Sequence, residues 1–151
     1  MIQLVRTDSE NDDFHALVAD LDKDLAIRDG DDHAFFAQFN ILNAIKHVVV
    51  AYENSIALGC GAIKEYMPGI TEVKRMYVVP GKRGKGIGSL VLKELEGWAS
   101  ELGYDKCILE TGEKQPEAIQ LYKKNNYAII PNYGQYADVA TSICFEKILN
   151  T

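Results

Sequence analysis

The chain has 151 residues, of which 47% are hydrophobic and 25% charged, the composition of an ordinary folded domain. Its net charge of −6 argues against general nucleic-acid binding, and no apolar run is long enough to cross a membrane. Three widely spaced cysteines without C-x-x-C spacing predict buried thiols in a reducing, cytoplasmic setting, and three histidines without metal-ligand spacing predict no metal.

The first half of the chain predicts a strand, two helices and an antiparallel meander, with residues 2–6 as the first strand. Two series of apolar residues recur at helical spacing: Phe14, Leu17, Val18, Leu21 and Leu25, then Phe35, Phe39, Leu42 and Ile45. Strands at residues 47–52 and 56–64 are joined by Glu53-Asn54-Ser55, which is typical of a hairpin. A turn at Pro68-Gly69 leads into a strand at residues 72–79.

The second half of the chain alternates helices and strands. A long amphipathic helix begins at Ile87 and is stopped by Gly103. A buried strand at residues 107–110, a helix at 115–126 and strands at 127–130 and 142–148 follow. The order βααβββαβαββ predicts an α/β (α+β) fold in one domain, residues 1–151, with a mixed sheet of six to seven strands and about four flanking helices.

The segment Arg83-Gly84-Lys85-Gly86-Ile87-Gly88 lies between a strand and the long helix. Glycines let backbone N–H groups approach an anion, and a helix start adds unpaired donors, so the segment predicts a phosphate site. A P-loop is excluded because no lysine precedes Ser89, and a dinucleotide fingerprint is excluded because the glycines recur at every second residue. Arg83, Gly86 and Gly88 instead match the pattern Arg/Gln-x-x-Gly-x-Gly/Ala.

With Met76-Tyr77-Val78-Val79-Pro80 before it, this segment resembles motif A of the GNAT superfamily of acyl-CoA-dependent N-acetyltransferases. Residues 115–127 resemble the family's motif B, and the resemblance covers nearly the whole chain. Two positions depart from motif B. Gln115 stands where asparagine is common, which puts a contact to pantetheine in question. Asn126 replaces a glycine, but asparagine tolerates a left-handed backbone.

The resemblance implies the GNAT fold and acetyl-CoA as co-substrate. The pyrophosphate would bind the glycine segment, and the pantetheine arm would lie along the strand at residues 72–79, which splays from the next strand in this family. Lys82 would add local positive charge. The residues implied in binding the co-substrate are Met76, Tyr77, Val78, Arg83, Gly84, Lys85, Gly86, Ile87, Gly88, Ser89 and Gln115.

The implied reaction is direct attack of a neutral amine on the acetyl thioester, with a backbone N–H near Val78 stabilising the carbonyl oxygen. Tyr122 is the family's usual acid for the leaving thiolate. Glu72 stands where some members carry a catalytic glutamate, and Glu110 is the rival base. Other members use a chain of water molecules.

The acceptor is expected to be the amine of a small molecule, an amino acid or a polyamine-like compound. Arg75 would suit a substrate carboxylate. Acidic, amide and phenolic residues in the family's acceptor region would suit a cationic amine: Asp31, Asp32, Glu65, Tyr66, Asn132, Tyr133 and Tyr136. A non-catalytic acyl-CoA-binding module and a protein or peptide N-acetyltransferase remain alternatives. The sequence leaves the oligomeric state open, although homodimers are common in the superfamily.

Overall fold

The computed structural model describes residues 1–29 and 45–149. The second predicted helix, with Phe35, Phe39 and Leu42, lies outside these residues. Ile45, which the sequence assigned to that helix, is buried in the segment directly before the second strand.

Seven strands form one mixed sheet, which confirms the predicted fold class. In chain order they are β1 (Ile2–Thr7), β2 (His47–Glu53), β3 (Ile56–Met67), β4 (Ile70–Val78), β5 (Lys106–Gly112), β6 (Ala128–Ile130) and β7 (Ser142–Ile148). Their order across the sheet is β1-β2-β3-β4-β5-β7-β6. The pair β4 and β5 is parallel and the other neighbouring pairs are antiparallel.

Helices cover both faces of the sheet. The described part of the chain forms α1 (Asp12–Asp29), α2 (Ile87–Glu101) and α3 (Pro116–Lys124). Alternate residues of β2 enter two separate apolar clusters, because successive side chains of a strand point to opposite faces. Val49 and Ala51 pack with residues of α2 and α3, whereas Val48 and Val50 pack with residues of α1.

The predicted hairpin between β2 and β3 is confirmed by its turn, where Asn54 and Ser55 have φ angles of 52° and 66°. Two successive left-handed residues are what a two-residue hairpin loop requires. The prediction of buried thiols is confirmed as well. Burial raises the pKa of Cys60 and Cys107 to about 12 and that of Cys144 to about 11.

In the part of the chain that the structure describes, no helix combines the length and the apolar character needed to span a bilayer.

Candidate functional site

The site begins where β4 and β5 separate. The two strands pair at Ile70–Lys106, Thr71–Cys107 and Glu72–Ile108, and their register ends there although both strands continue. The sequence-based expectation that these strands splay apart is therefore met. A parallel pair that opens in this way leaves backbone groups of β4 without ladder partners on β5.

The backbone N–H of Val78 faces this opening. The N–H of Val79 donates to the carbonyl of Leu58 on β3 at 2.9 Å. Because the backbone groups of successive strand residues point in opposite directions, the N–H of Val78 points away from β3 and toward the gap. The carbonyl of Val78 accepts a hydrogen bond from Arg83 Nε at 2.8 Å.

The glycine segment leads directly into α2. Gly84 and Gly86 have φ angles of 79° and 84°, and Gly86 is the residue that precedes the first turn. A side chain at these angles would strain the backbone. Among the described residues, no side chain caps this helix and its first turn contains no acidic residue. The first-turn N–H groups and the positive end of the helix dipole are thus available to an anion.

The three cations near this segment lie in different surroundings. Arg83 places its guanidinium 5.4 Å from the centre of the Tyr77 ring and 3.7 Å from a carboxylate oxygen of Asp24, in addition to its bond to Val78. Lys82 lies 3.5 Å from Glu53. Lys85 is exposed. Arg83 therefore fastens the loop to β4 as well as contributing charge.

A cavity of about 700 Å³ connects the strand gap with the start of α2. It is lined by both candidate bases, by Tyr122, Arg75 and Tyr136, and by every residue implied in co-substrate binding except Lys85. Of the described acceptor-region residues, Glu65, Tyr66, Asn132 and Tyr133 do not line it. Its wall is formed by residues of α1, α2, α3, β4 and β5, together with the loop before α2 and the loop that carries Tyr136. This volume falls within the range of small-molecule and cofactor pockets.

Tyr122 is held in this wall by ring packing. Its side chain, 5% exposed, belongs to the cluster of α2 and α3, and its ring centre lies 5.8 Å from that of Tyr127 and 5.7 Å from that of Phe145. Burial, together with the charge of Glu110, raises the pKa of Tyr122 above its ordinary value. The phenol therefore keeps its proton throughout the neutral and mildly alkaline range.

Glu72 is a buried carboxylate, 8% exposed, with two partners in the described part of the chain. Tyr133 donates a hydrogen bond to Glu72 Oε2 at 2.6 Å, and Lys74 Nζ lies 3.4 Å from Oε1. Burial and the neighbouring carboxylate raise the pKa of Tyr133, so its hydroxyl remains a donor. Tyr133 does not line the cavity, but it fixes a residue that does.

Glu110 lies in the same wall, on β5. Its Oε2 accepts a hydrogen bond from the Ser142 hydroxyl at 2.7 Å. Burial raises the pKa of Tyr136, and the charges of Glu110 and Glu72 add to the shift. The loop that carries Tyr133 and Tyr136 thus brings two phenols to the two candidate bases.

A feature that the sequence did not predict is a β-bulge at Arg75. This residue has a φ angle of 62°, and the register between β3 and β4 shifts between the pairs Ala62–Lys74 and Cys60–Tyr77. The bulge turns Arg75 toward α1, where its Nη1 lies 3.1 Å from Asp22. Strand alternation would have placed Lys74 and Arg75 on opposite faces, and no local sequence signal such as glycine marks the bulge.

The remaining residues of the predicted acceptor region do not line the cavity or lie outside the described residues. Asp31 and Asp32 lie outside the described residues. Glu65 accepts a hydrogen bond from Tyr104, and the ring of Tyr66 packs edge-on against Tyr133 at 5.2 Å. The amide of Asn132 donates to the carbonyls of Val139 and Ser142, both at 3.0 Å. Asn132 and Tyr66 therefore support the loop of Tyr133 from outside the cavity.

The two departures in the predicted second motif also have structural outcomes. Asn126 adopts a φ angle of 71°, as expected for a residue in place of glycine. Gln115 is the residue directly before α3 and lines the cavity. Its side chain makes no capping hydrogen bond to that helix in the described part of the chain.

The sequence matches the family model described as the acetyltransferase (GNAT) family over residues 8–127. An "IAA acetyltransferase" of Azospirillum brasilense is 38% identical over 102 residues, which are 67% of this chain and 67% of that protein. An uncharacterised N-acetyltransferase of Schizosaccharomyces pombe is 36% identical over 87 residues. That alignment spans 57% of this chain and about half of the yeast protein, 53%.

Two solved structures show the same architecture. A proposed acyl-CoA N-acyltransferase from Klebsiella pneumoniae is 28% identical, with a TM-score of 0.83 over 99% of both chains. A GNAT family acetyltransferase from Elizabethkingia anophelis with acetyl-CoA bound has a TM-score of 0.71 over 98% of both chains. At 19% identity, the second comparison concerns the fold alone.

Proposed function

The chain belongs to the acetyltransferase (GNAT) family of acyltransferases, and we propose that it transfers the acetyl group of acetyl-CoA to the primary amine of a small molecule. The transfer would proceed by direct attack within a ternary complex. The proposal places this activity in a single domain in the cytoplasm, with a homodimer as the assembly. The observation that carries the proposal is the cavity that joins an uncapped helix start to a splayed pair of strands.

The two ends of the cavity suit the two ends of the co-substrate. The first-turn N–H groups of α2 and the left-handed glycines before it would hold a pyrophosphate. The pantetheine arm would follow the separated edge of β4, where backbone groups lack partners on β5. Bound there, acetyl-CoA supplies the activated acetyl group. The N–H of Val78 is available to stabilise the negative charge that develops on the carbonyl oxygen.

Two side chains complete the proton transfers. Glu72, or Glu110 in its place, takes the proton that the attacking amine must lose. Tyr122 gives its proton to the leaving sulfur, since its raised pKa keeps the phenol protonated at the pH of the reaction. The amine proton and the thiol proton thus pass through different groups.

The proposal is tested by incubating the protein with acetyl-CoA and a panel of amines, amino acids and short peptides. Free thiol and acetylated product are followed together, and binding of acetyl-CoA is measured separately by calorimetry. We expect turnover with at least one small amine. Tight binding of acetyl-CoA without turnover on any acceptor would support a non-catalytic acyl-CoA-binding protein, and turnover on peptides alone would support a peptide N-acetyltransferase.

A further inference from the structure

Two consecutive cations of β4 face the same side of the sheet. Lys74 pairs with Ala62, which belongs to the α1 cluster, and Arg75 contacts Asp22 on α1. Val73 before them and Met76 after them pack toward α2 instead. The left-handed bulge at Arg75 causes this arrangement, because a regular strand would send the second cation to the opposite face.

Both cations are largely removed from water, yet both line the cavity. The side chain of Lys74 is 13% exposed and that of Arg75 is 3% exposed. An ammonium has three donors, and in the described part of the chain Lys74 has one polar contact, the 3.4 Å approach to Glu72. Buried cations are favourable only when anions accompany them, and Asp22, 3.1 Å from Arg75 Nη1, is one such anion.

We propose that Lys74 and Arg75 form a subsite for the carboxylate of the acceptor, which makes the acceptor an α-amino acid. This inference rests on the proposed function, because it concerns the same cavity. Arg75 offers a planar fork that suits a carboxylate, and Lys74 adds a second charge-assisted donor.

The spacing selects α-amino acids over longer zwitterions. Lys74 Nζ and Glu72 Oε1 are 3.4 Å apart. An amine directed at Glu72 and a carboxylate directed at Lys74 must therefore lie close together, and in an α-amino acid a single carbon separates them. The cations have a second effect on the amine. A neighbouring positive charge disfavours protonation, so the attacking nitrogen is more easily kept neutral.

The test compares acetylation of each amino acid with acetylation of its carboxamide, in which the amine remains and the negative charge is lost. The substitution Lys74→Met keeps most of the side-chain length without the charge. It should lower kcat/KM for the amino acid by about 10- to 100-fold more than for the carboxamide, the range expected from losing a hydrogen bond to a charged group. Any effect of Lys74 through Glu72 or through protonation of the amine acts on both acceptors and cancels in this ratio. Lys64→Met is the matched control, because Lys64 is exposed on β3 and does not line the cavity.

Arg75→Met should give the same selective loss. If its thermal midpoint shows that it does not fold, Arg75→Lys keeps the charge, removes the fork and should lose part of the discrimination. A wild-type enzyme that acetylates amines without a carboxylate equally well would overturn the subsite and leave the proposed function intact. So would a Lys74→Met variant that loses activity equally on both acceptors. Absence of turnover by the wild-type protein on every amine would instead refute the proposed function, and with it the subsite.

Discussion

Replacing Tyr122 with phenylalanine removes one oxygen atom from the proposed site and little else. The ring of Tyr122 packs on Tyr127 and Phe145, and both contacts remain available to phenylalanine. In the described part of the chain the contacts of Tyr122 are made through its ring, so the change breaks no internal hydrogen bond there. We therefore expect the free energy of unfolding to change by less than about 1 kcal/mol.

The expected effect on catalysis is much larger. A positioned general acid contributes about 100- to 10,000-fold to a rate, and we expect Tyr122→Phe to lower kcat at least about 100-fold. That loss corresponds to about 2.7 kcal/mol in the activation barrier. The dissociation constant for acetyl-CoA should change less than about 3-fold, because the phenol acts on the departing sulfur. The assay follows thiol release under saturating substrates, with calorimetry for binding.

The chain supplies a matched control in Tyr127, a neighbouring tyrosine of the same cluster. Its hydroxyl donates to Glu96 at 2.9 Å and it does not line the cavity. Tyr127→Phe should lower stability by about 1–3 kcal/mol because Glu96 loses a donor, while kcat stays within about 3-fold. Equal rate losses in both variants, or an unchanged rate in Tyr122→Phe, would show that the phenol of Tyr122 is not the acid. Because the pKa of Tyr122 is raised, wild-type kcat should also show no loss of this acid up to about pH 9.

Three further predictions concern the glycine segment, the hydrogen bond between Tyr133 and Glu72, and the buried thiols. Gly86→Ala places a side chain at a left-handed residue, at a cost of about 1–2 kcal/mol, and should weaken acetyl-CoA binding by up to about 30-fold in calorimetry or lower the thermal midpoint. Gly81→Ala, where a Cβ meets open space and φ is not left-handed, should do neither, and an identical result for the two variants would refute the role of the loop. Tyr133→Phe frees Glu72 from a 2.6 Å hydrogen bond and should lower kcat about 3- to 30-fold without changing acetyl-CoA binding, whereas an unchanged kcat would separate this bond from catalysis. The three cysteine thiols, whose pKa is raised to about 11 or 12, should resist alkylation of the folded protein at pH 8 and react on unfolding, because thiolate forms only at higher pH.

The parts of the site that depend on neighbouring residues were predictable from the sequence. The glycine segment, the start of α2 and the tyrosine of α3 are local patterns, because each depends on residues within one or two turns of backbone. The left-handed backbone at Asn126 followed from the same local reasoning. A short segment of chain is therefore enough to predict each of these features.

The other parts depend on contacts between distant residues. Tyr133 and Glu72 are 61 positions apart, and nothing near either residue indicates their hydrogen bond. The bulge at Arg75 is determined by how β3, β4 and α1 pack, and arginine has no preference for a left-handed backbone. A one-residue change in alternation moves a side chain to the other face of the sheet. The sequence period therefore could not predict the face of the sheet on which Arg75 lies.

The separation of β4 from β5 would let the proposed acid and the proposed base, which lie on opposite faces of one sheet, serve one reaction. Tyr122 belongs to the apolar cluster of α2 and α3, whereas Glu72 shares the α1 face with Lys74. In a continuous sheet the paired backbone would stand between them. Here pairing stops at Glu72–Ile108, and the charge of Glu110 on β5 reaches the phenol of Tyr122. An amine that arrives from the α1 face and a thiol that leaves toward α3 would therefore use different proton carriers.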